Sequence, residues 1–269
     1  MNCSKEQGAN EAQKGVRRSI QSRVNRPVGD GPKDGTITVG FRVLGEVRDM
    51  CGRYTLSTPA GRLAEEFQLD EGPIDLTPSY NVAPTQEVAA VLEEEGKRRL
   101  EMLRWGLIPS WADDPEIGAR MINARSETAA EKPSFRGAFR RRRCLIAADG
   151  FYEWKRENGG KQPYYFHMRE GRPFAFAGLW ESWDKGGGAL RSCTILTTRA
   201  NSVLEVIHDR MPVILPSGAY DLWLDPDADR EQLADLLIPY PGDDLETYPV
   251  SRFVNSPRNN DERCIEPAA

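Results

Sequence analysis

Between Cys51 and the C terminus the apolar residues come in short runs, and this limits what the chain can fold into. Glu87–Leu92 and Arg98–Trp105 are two of them, and Cys144–Ala148, Tyr164–Met168, Pro173–Leu179 and Ser192–Thr197 are short strand candidates rich in β-branched and aromatic side chains. Glu93 to Lys97 (EEEGK) lies between the first two runs and puts Gly96 at a turn, a hairpin signal. Helical period is confined to small windows. Pro59 to Leu69 sets Leu63 and Phe67 four apart, with Thr58 as N-cap and Pro59 at the first helical position. Ser202–Ile207, Gly218–Leu224 and Arg230–Leu237 also read as helical, and Pro78 to Gln86 (PSYNVAPTQ) reads as a loop. Many short strands with few helices between them predict an α+β fold: a single domain on a curved, barrel-like, mostly antiparallel sheet with flanking helices.

Residues 1–49 have a different texture. Met1 to Asp34 is rich in Gly, Asn, Gln, Ser, Lys and Arg with neither strand nor helix period, and 35–47 offers a short strand without an obvious partner. The expectation is a disordered or mis-assigned N-terminal extension, with the true start at Met50 and the catalytic domain spanning 50–269. A basic tail that aids nucleic-acid binding is the other reading, since 1–49 carries nine Lys+Arg against six Asp+Glu. The whole chain is −5, so 50–269 carries −8. Contact with a polyanion must therefore come from a local basic groove rather than from global attraction. No apolar run is long enough to span a membrane and no secretory signal opens the sequence, so a cytoplasmic location is expected.

The five cysteines, Cys3, Cys51, Cys144, Cys193 and Cys264, are widely and irregularly spaced, with no CxxC pair. That argues against a disulfide framework and a structural zinc site. With His167 and His208 the only histidines, no metal is expected, and no other cofactor. Cys144, Cys193 and Cys264 are assigned to packing. Cys51 differs because it follows Met50 and precedes Gly52. Removal of that methionine would leave a free α-amine and a thiol on adjacent carbons. Such a 1,2-aminothiol condenses with an aldehyde to an imine, and the thiol then closes onto the imine carbon to give a thiazolidine. An α-amine has a reference pKa of about 7.7 to 8.0, so an appreciable neutral fraction exists near pH 7. By itself Met-Cys-Gly is weak, because a buried cysteine is usually inert.

Further stretches give it context. Besides Pro78 to Gln86 there is Trp105 to Trp111 (WGLIPSW), with two tryptophans around a proline-containing turn. Met121 to Ala130 (MINARSETAA) sets Asn123 and Arg125 two residues apart. Asp149 to Lys155 (DGFYEWK) places Glu153 among three aromatics, and Ile207 to Pro212 (IHDRMP) holds His208 beside Asp209 and Arg210. In wording and order these resemble the SOS response-associated peptidase (SRAP) family of abasic site processing proteins. The resemblance runs from Met50 to about Pro267, where Tyr248 to Asn255 (YPVSRFVN) also fits.

The resemblance implies a protein that senses abasic sites in single-stranded DNA and crosslinks to them through N-terminal Cys51, shielding the lesion during the DNA damage response. Cys51, Asn123, Glu153 and His208 match the family's catalytic residues. An amide at Asn123 can hold the sugar hydroxyl or orient the amine. A carboxyl among aromatics is expected to be raised by desolvation and to shuttle protons at Glu153. His208 suits proton donation at the sugar ring oxygen. Arg53, Arg125 and Arg210 match phosphate-contacting arginines, while Pro84 and Trp111 match positions wedged against the flanking bases. Self-processing and weak strand scission at the lesion are also implied. The expected partner is abasic single-stranded DNA, with no membrane, and a monomer that associates with the nucleoid when bound to DNA.

Cys51 stands fifty residues into the chain, where its nitrogen is a peptide amide; Asn2 ahead of Cys3 is too large for efficient methionine removal. The covalent chemistry thus requires translation from Met50 or removal of the segment. Trp105 is expected in the core. Arg140 to Arg143 (RRRR) reads either as a DNA contact or as the solvated lead into a strand. Three other functions stay open: an N-terminal-nucleophile amidohydrolase, a peptidase using a Cys–His–Glu set, and a non-covalent single-strand binder. Arg53 followed by Tyr54, and no second domain for an ammonia acceptor, speak against the first.

Overall fold

The computed structural model of the chain describes residues 52–71, 75–157 and 159–268; residues 1–49, Met50 and Cys51 lie outside these, as does the strand expected within 35–47. In chain order the described elements begin with β1 (Tyr54–Leu56), α1 (Ala60–Phe67), β2 (Ser79–Val82), β3 (Glu87–Glu94) and β4 (Lys97–Trp105). There follow β5 (Asn123–Arg125), α2 (Ser126–Ala129), α3 (Arg136–Arg141), β6 (Arg143–Ala148), β7 (Gly150–Glu157) and β8 (Gly160–Met168). The last are β9 (Phe174–Trp183), β10 (Leu190–Arg199), β11 (Arg210–Pro212), β12 (Ile214–Leu215), α4 (Tyr220–Leu224), α5 (Arg230–Asp235) and β13 (Leu245–Pro249). All fall within one compact unit.

The strands form two sheets, and the architecture is the expected α+β class. One sheet is antiparallel throughout, in the order β13-β8-β7-β1-β2. The other runs β11-β10-β4-β3-β6-β9-β12, with β5 beside β10. Because β9 pairs with both β6 and β10, the strands β10-β4-β3-β6-β9 close into a ring. The pairs β10–β4 and β10–β5 are parallel and the remainder antiparallel.

Local chemistry accounts for the pieces. The β3–β4 hairpin turns on Glu95 and Gly96, both at positive φ, the two-residue geometry that matches strand twist. Glu93 and Arg98 face each other across it, 3.1 Å apart. In β6 every residue is buried, as a strand inside a closed ring requires. The two sheets are joined by aromatics. Tyr54 of β1 lies 5.3 Å from the Trp105 ring and 5.8 Å from Phe176. Phe151 of β7 stacks on Phe166 at 4.9 Å and meets Phe176 edge-on.

Several local expectations change. Pro59 is the N-cap of α1, and the Thr58 hydroxyl is instead engaged by Asp149. Half of the expected loop Pro78 to Gln86 is strand β2, because β1 offers it an open edge. Ser202–Ile207 is a set of overlapping turns, not a helix. Ala200 N–H binds Asp209 O and closes the base of the excursion, while Asn201 Oδ1 takes the Leu204 N–H. The arginine run splits: Arg140 and Arg141 are exposed, Arg142 pairs with Glu181, and Arg143 is buried. The Arg143 guanidinium donates to the carbonyls of Phe139, Arg140, Trp223 and Asp225, ending α3 and α4 together. Arg143 is thus neither a solvated lead nor a DNA contact. Gly218–Leu224 is one turn of 3₁₀ helix followed by α4, and α5 ends at Asp235.

Candidate active site

Alternation along β7 decides where Glu153 looks. Phe151 and Glu153 share the face turned to the main core, whereas Tyr152 and Trp154 join a second cluster with Tyr165, Val250 and Val254. Glu153 is only 1% exposed. Tyr54 of β1 pairs with Phe151 on one side and Val82 on the other, and Arg53 O accepts the Tyr152 N–H. Antiparallel register with β7, continued past the Tyr152–Arg53 bond, points Gly52 toward Glu153. The start of the described chain therefore runs toward a buried carboxyl.

The turn that follows β2 is anchored by Trp105. Thr85 N–H binds Trp105 O at 2.8 Å, and Trp105 N–H binds Gln86 O at 2.8 Å. Pro84 precedes Thr85, whose φ of 71° is an uncommon value for a non-glycine residue. Trp105 is fully buried, as expected, and its indole N–H donates to Ile122 O at 2.9 Å, fixing the residue before Asn123. Gly106 and Gly118 lie so close that a Cβ on either would sit 2.6 Å or less from the other's carbonyl oxygen. Further along the same segment, Lys185 Nζ holds Trp111 O at 2.9 Å while the residue stays 53% exposed. Trp111 thus presents its ring to solvent.

A second group gathers along β10. Ile195 pairs with Asn123, Leu196 with Ala124 and Thr197 with Arg125 in parallel register. Paired residues in a sheet point to one face, so Asn123, Arg125, Ile195 and Thr197 share it. The Arg210 guanidinium reaches the same place. It grips Glu127, in the first turn of α2, through both carboxylate oxygens at 2.5 and 2.9 Å, and also donates to Thr197 O. This contact holds the Glu127 carboxyl below its ordinary range. Two residues back, His208 Nδ1 accepts the Arg210 N–H at 3.0 Å, which leaves the proton of the neutral ring on Nε2. In the imidazolium, Nδ1–H can donate instead to Arg210 O at 3.2 Å or to Asp209 at 3.3 Å. The Glu127–Arg210 pair thus staples the strand of Asn123 and Arg125 to the loop of His208.

Two buried hubs hold β1 in place. Asp149 accepts Thr55 Oγ1 and Ser57 N, each at 2.6 Å, Thr58 N at 2.8 Å, and the hydroxyls of Ser57 and Thr58 at 3.0 Å. On the outer face, Arg53 Nη1 donates to Asn81 Oδ1 at 2.8 Å and to Val254 O at 3.0 Å. The Asn81 amide donates in turn to Val254, Ser256 and Asn259 carbonyls. Burial lowers the Arg53 guanidinium pKa from its ordinary value; it remains a cation at any physiological pH.

A description of the SOS response associated peptidase (SRAP) family matches residues 50–257. The chain belongs to this family. It is 48% identical over 224 residues to the abasic site processing protein YoqW of Bacillus subtilis, which covers 81% of this chain and 99% of that one. The abasic site processing protein HMCES of Gallus gallus is 34% identical over 264 residues, covering 81% of this chain and 78% of its own. The abasic site processing protein YedK of Escherichia coli is 31% identical over 226 residues, covering 81% and 100%. Among solved structures, a protein of Bacteroides thetaiotaomicron superposes with a TM-score of 0.74 at 27% identity, over 81% of this chain and 100% of its own. One from Bordetella bronchiseptica gives 0.66 at 32% identity, over 75% and 100%.

Within this SRAP fold the residues singled out in sequence fall into two groups. Glu153 lies on β7 where β1 begins and Pro84 in the turn anchored by Trp105, while Asn123, Arg125 and Arg210 gather along β10 with His208 bonded to the Arg210 backbone; Trp105 reaches both groups through Tyr54 and Ile122. Cys51 lies outside the described residues. Arg125 and Trp111 are exposed, whereas Arg53 and Arg210 are already engaged by protein groups. Cys144, Cys193 and Cys264 are free and buried, and burial raises their thiol pKa, which disfavours the reactive thiolate. Sequence reasoning missed Asp149, Asn81 and Glu127. Asp149-Gly150 has the wording of a turn, and Glu127 that of an ordinary acid opening a helix; only long-range contacts reveal their work. No described helix is long and apolar enough to cross a membrane.

Proposed function

We propose that this SRAP protein is an abasic site processing protein that captures the ring-opened abasic sugar of single-stranded DNA as a thiazolidine on Cys51. The observation that supports the proposal is the register of β1 with β7, which points the chain immediately after Cys51 toward the buried Glu153. Abasic site processing is what the names of YoqW, HMCES and YedK state of those proteins.

The reaction requires Cys51 as first residue, through a start at Met50 or through removal of the segment before it. Its neutral amine adds to the sugar aldehyde to give a carbinolamine. Loss of water gives the imine, the thiol sulfur bonds to the imine carbon, and the thiol proton ends on nitrogen. One water leaves overall. Glu153, a buried carboxyl, takes and returns protons between the amine and the carbinolamine oxygen. His208 donates from Nε2 to the ring oxygen and promotes opening of the closed sugar. By microscopic reversibility it also assists release. The Asn123 amide orients the sugar hydroxyl or the amine.

Arg125 contacts phosphate from its exposed position on β5. Arg210 contributes the donors that Glu127 leaves over, and Arg53 acts from the outer side of β1. Pro84 and Trp111 press on the bases flanking the lesion, with stacking indifferent to sequence. Opening the strand costs least where a base is already missing. The reading extends to a monomer acting on single strands, to autoproteolytic removal of the preceding segment and to weak strand scission by β-elimination from the imine.

The test is incubation of protein starting at Met50 with single-stranded DNA bearing one abasic site, followed by a denaturing gel. A shifted band with Cys51, absent with Cys51→Ser, is expected. A non-covalent complex only, from protein with a verified Cys51 N terminus, overturns the covalent mechanism.

A further inference from the structure

The segment Arg125 to Arg143 holds seven Lys+Arg and two Asp+Glu, a charge of +5, within a region 50–269 that carries −8. The remainder of that region is therefore −13. Such an asymmetry matters only if the charges are free and on one face. Lys132 N–H binds Thr128 O at 3.0 Å and Arg136 N–H binds Lys132 O at 2.8 Å, so helical turns link α2 to α3. Lys132, Arg136 and Arg140 then follow at intervals of four, the spacing of one helix face. Ala138 lies on the opposite face, and Phe135 and Phe139 flank the stripe; all three are buried. Lys132, Arg136, Arg140 and Arg141 are all exposed.

The nearby carboxylates are committed elsewhere. Glu127 holds Arg210, Glu131 lies 3.7 Å from Arg230, and Glu181 holds Arg142. Among the described residues none of the four exposed cations has an ion-pair partner within 4 Å. In the chain the stripe follows the candidate site closely, since β5 delivers Asn123 and Arg125 directly into α2.

We propose that Lys132, Arg136 and Arg140 form a phosphate-binding track that takes the DNA backbone on one side of the lesion. The inference rests on the DNA-capture reading and deepens it, by assigning the flanking strand to a defined surface. A single strand fits because it repeats charge along a line and imposes no shape of its own. An otherwise acidic surface keeps the strand on that line. The track would add affinity to the crosslinking reaction without touching the reacting atoms.

The test uses the full chain and a 30-nucleotide single strand carrying a tetrahydrofuran abasic analogue, which cannot form an imine. Affinity is measured against salt for wild type and for Lys132→Gln/Arg136→Gln/Arg140→Gln, with thermal unfolding of both as a folding control. Each lost single-strand phosphate contact lowers the slope of log affinity against log salt by about 0.7, so a reduction of about 2 is expected. A short oligonucleotide confined to the lesion should bind both proteins alike. If the threefold variant unfolds, Arg136→Gln and Arg140→Gln singly should each lower the slope by about 0.7. An unchanged slope in a folded variant, with wild type binding normally, overturns the track and leaves the capture reading standing. Failure of wild type to bind the strand at all overturns both. Loss of binding to poly-glutamate with DNA binding intact assigns the surface to an acidic protein and overturns the track.

Discussion

Asp149 is where a single atom change should separate stability from chemistry. Its carboxylate is buried and takes one bond on Oδ1 and four on Oδ2, with three at 2.8 Å or less. In Asp149→Asn the carbonyl oxygen can occupy the Oδ2 position and the amide can donate to a rotated Thr55 hydroxyl. The geometry survives and the charge is lost. Charge-assisted hydrogen bonds are roughly twice as strong as neutral ones, a difference of about 1 kcal/mol each. Three short bonds then give a loss of about 2 to 4 kcal/mol, a large share of the roughly 5 to 15 kcal/mol that holds a domain together. In Asp149→Ala the Ser57 and Thr58 amides and the Thr55 hydroxyl lose their acceptor in a buried site, a loss on the order of 4 to 6 kcal/mol. Urea unfolding followed by tryptophan fluorescence measures both, and amide exchange at Ser57 and Thr58 reports the local anchor. Because Asp149 sets the path of β1 toward Glu153, crosslinking by the Asn variant should slow even where the protein remains folded. An Asn variant within 0.5 kcal/mol of wild type, with the two amides equally protected, would refute the reasoning.

Two more predictions follow from the same geometry. Glu127→Gln removes one arm of the staple on Arg210; the pair is partly exposed, so the stability loss is at most about 1 kcal/mol, while the crosslinking rate falls because Asn123 and His208 are no longer held together. The folded carboxyl sits below its ordinary value of 4.5, so its stabilisation is present above that pH and lost as the pH falls through the folded value; unfolding of wild type and variant should converge below pH 4.5, and a constant gap down to strong acid contradicts the pairing. Trp111→Ala should weaken single-strand binding by about 1 to 3 kcal/mol with little change in melting temperature, as measured by fluorescence anisotropy and calorimetry; unaltered affinity would remove Trp111 from the interface.

What the sequence made legible was set by the range of each interaction. The β3–β4 hairpin was visible because Glu95 and Gly96 fix it within a few residues, and the apolar run of β6 because burial on all sides needs no periodicity. Helix α1 was visible through Leu63 and Phe67, but its cap was not, since the Thr58 hydroxyl answers to a residue 91 positions away. Strand β2 and the turns at Ser202–Ile207 went wrong for the same reason: an open edge at β1 and a closed base at Ala200 override local preference. Closure of the ring depends on parallel pairing of β10 with β4, which no local pattern announces. The site divides likewise. Asn123, Glu153 and His208 could be singled out only through the wording shared with a family, whereas Arg143, Asp149 and Asn81 carry no mark of burial in their own sequence neighbourhoods.

The central claim is tested most directly by peptide mapping of the adduct formed with abasic single-stranded DNA, after nuclease digestion and without chemical reduction. The account predicts one modified peptide, beginning at Cys51, heavier by the nucleotide remnant less one water, with both the α-amine and the thiol blocked. A modified lysine, a modified peptide beginning upstream of Cys51, or a Cys51 peptide whose thiol still reacts with iodoacetamide would contradict it.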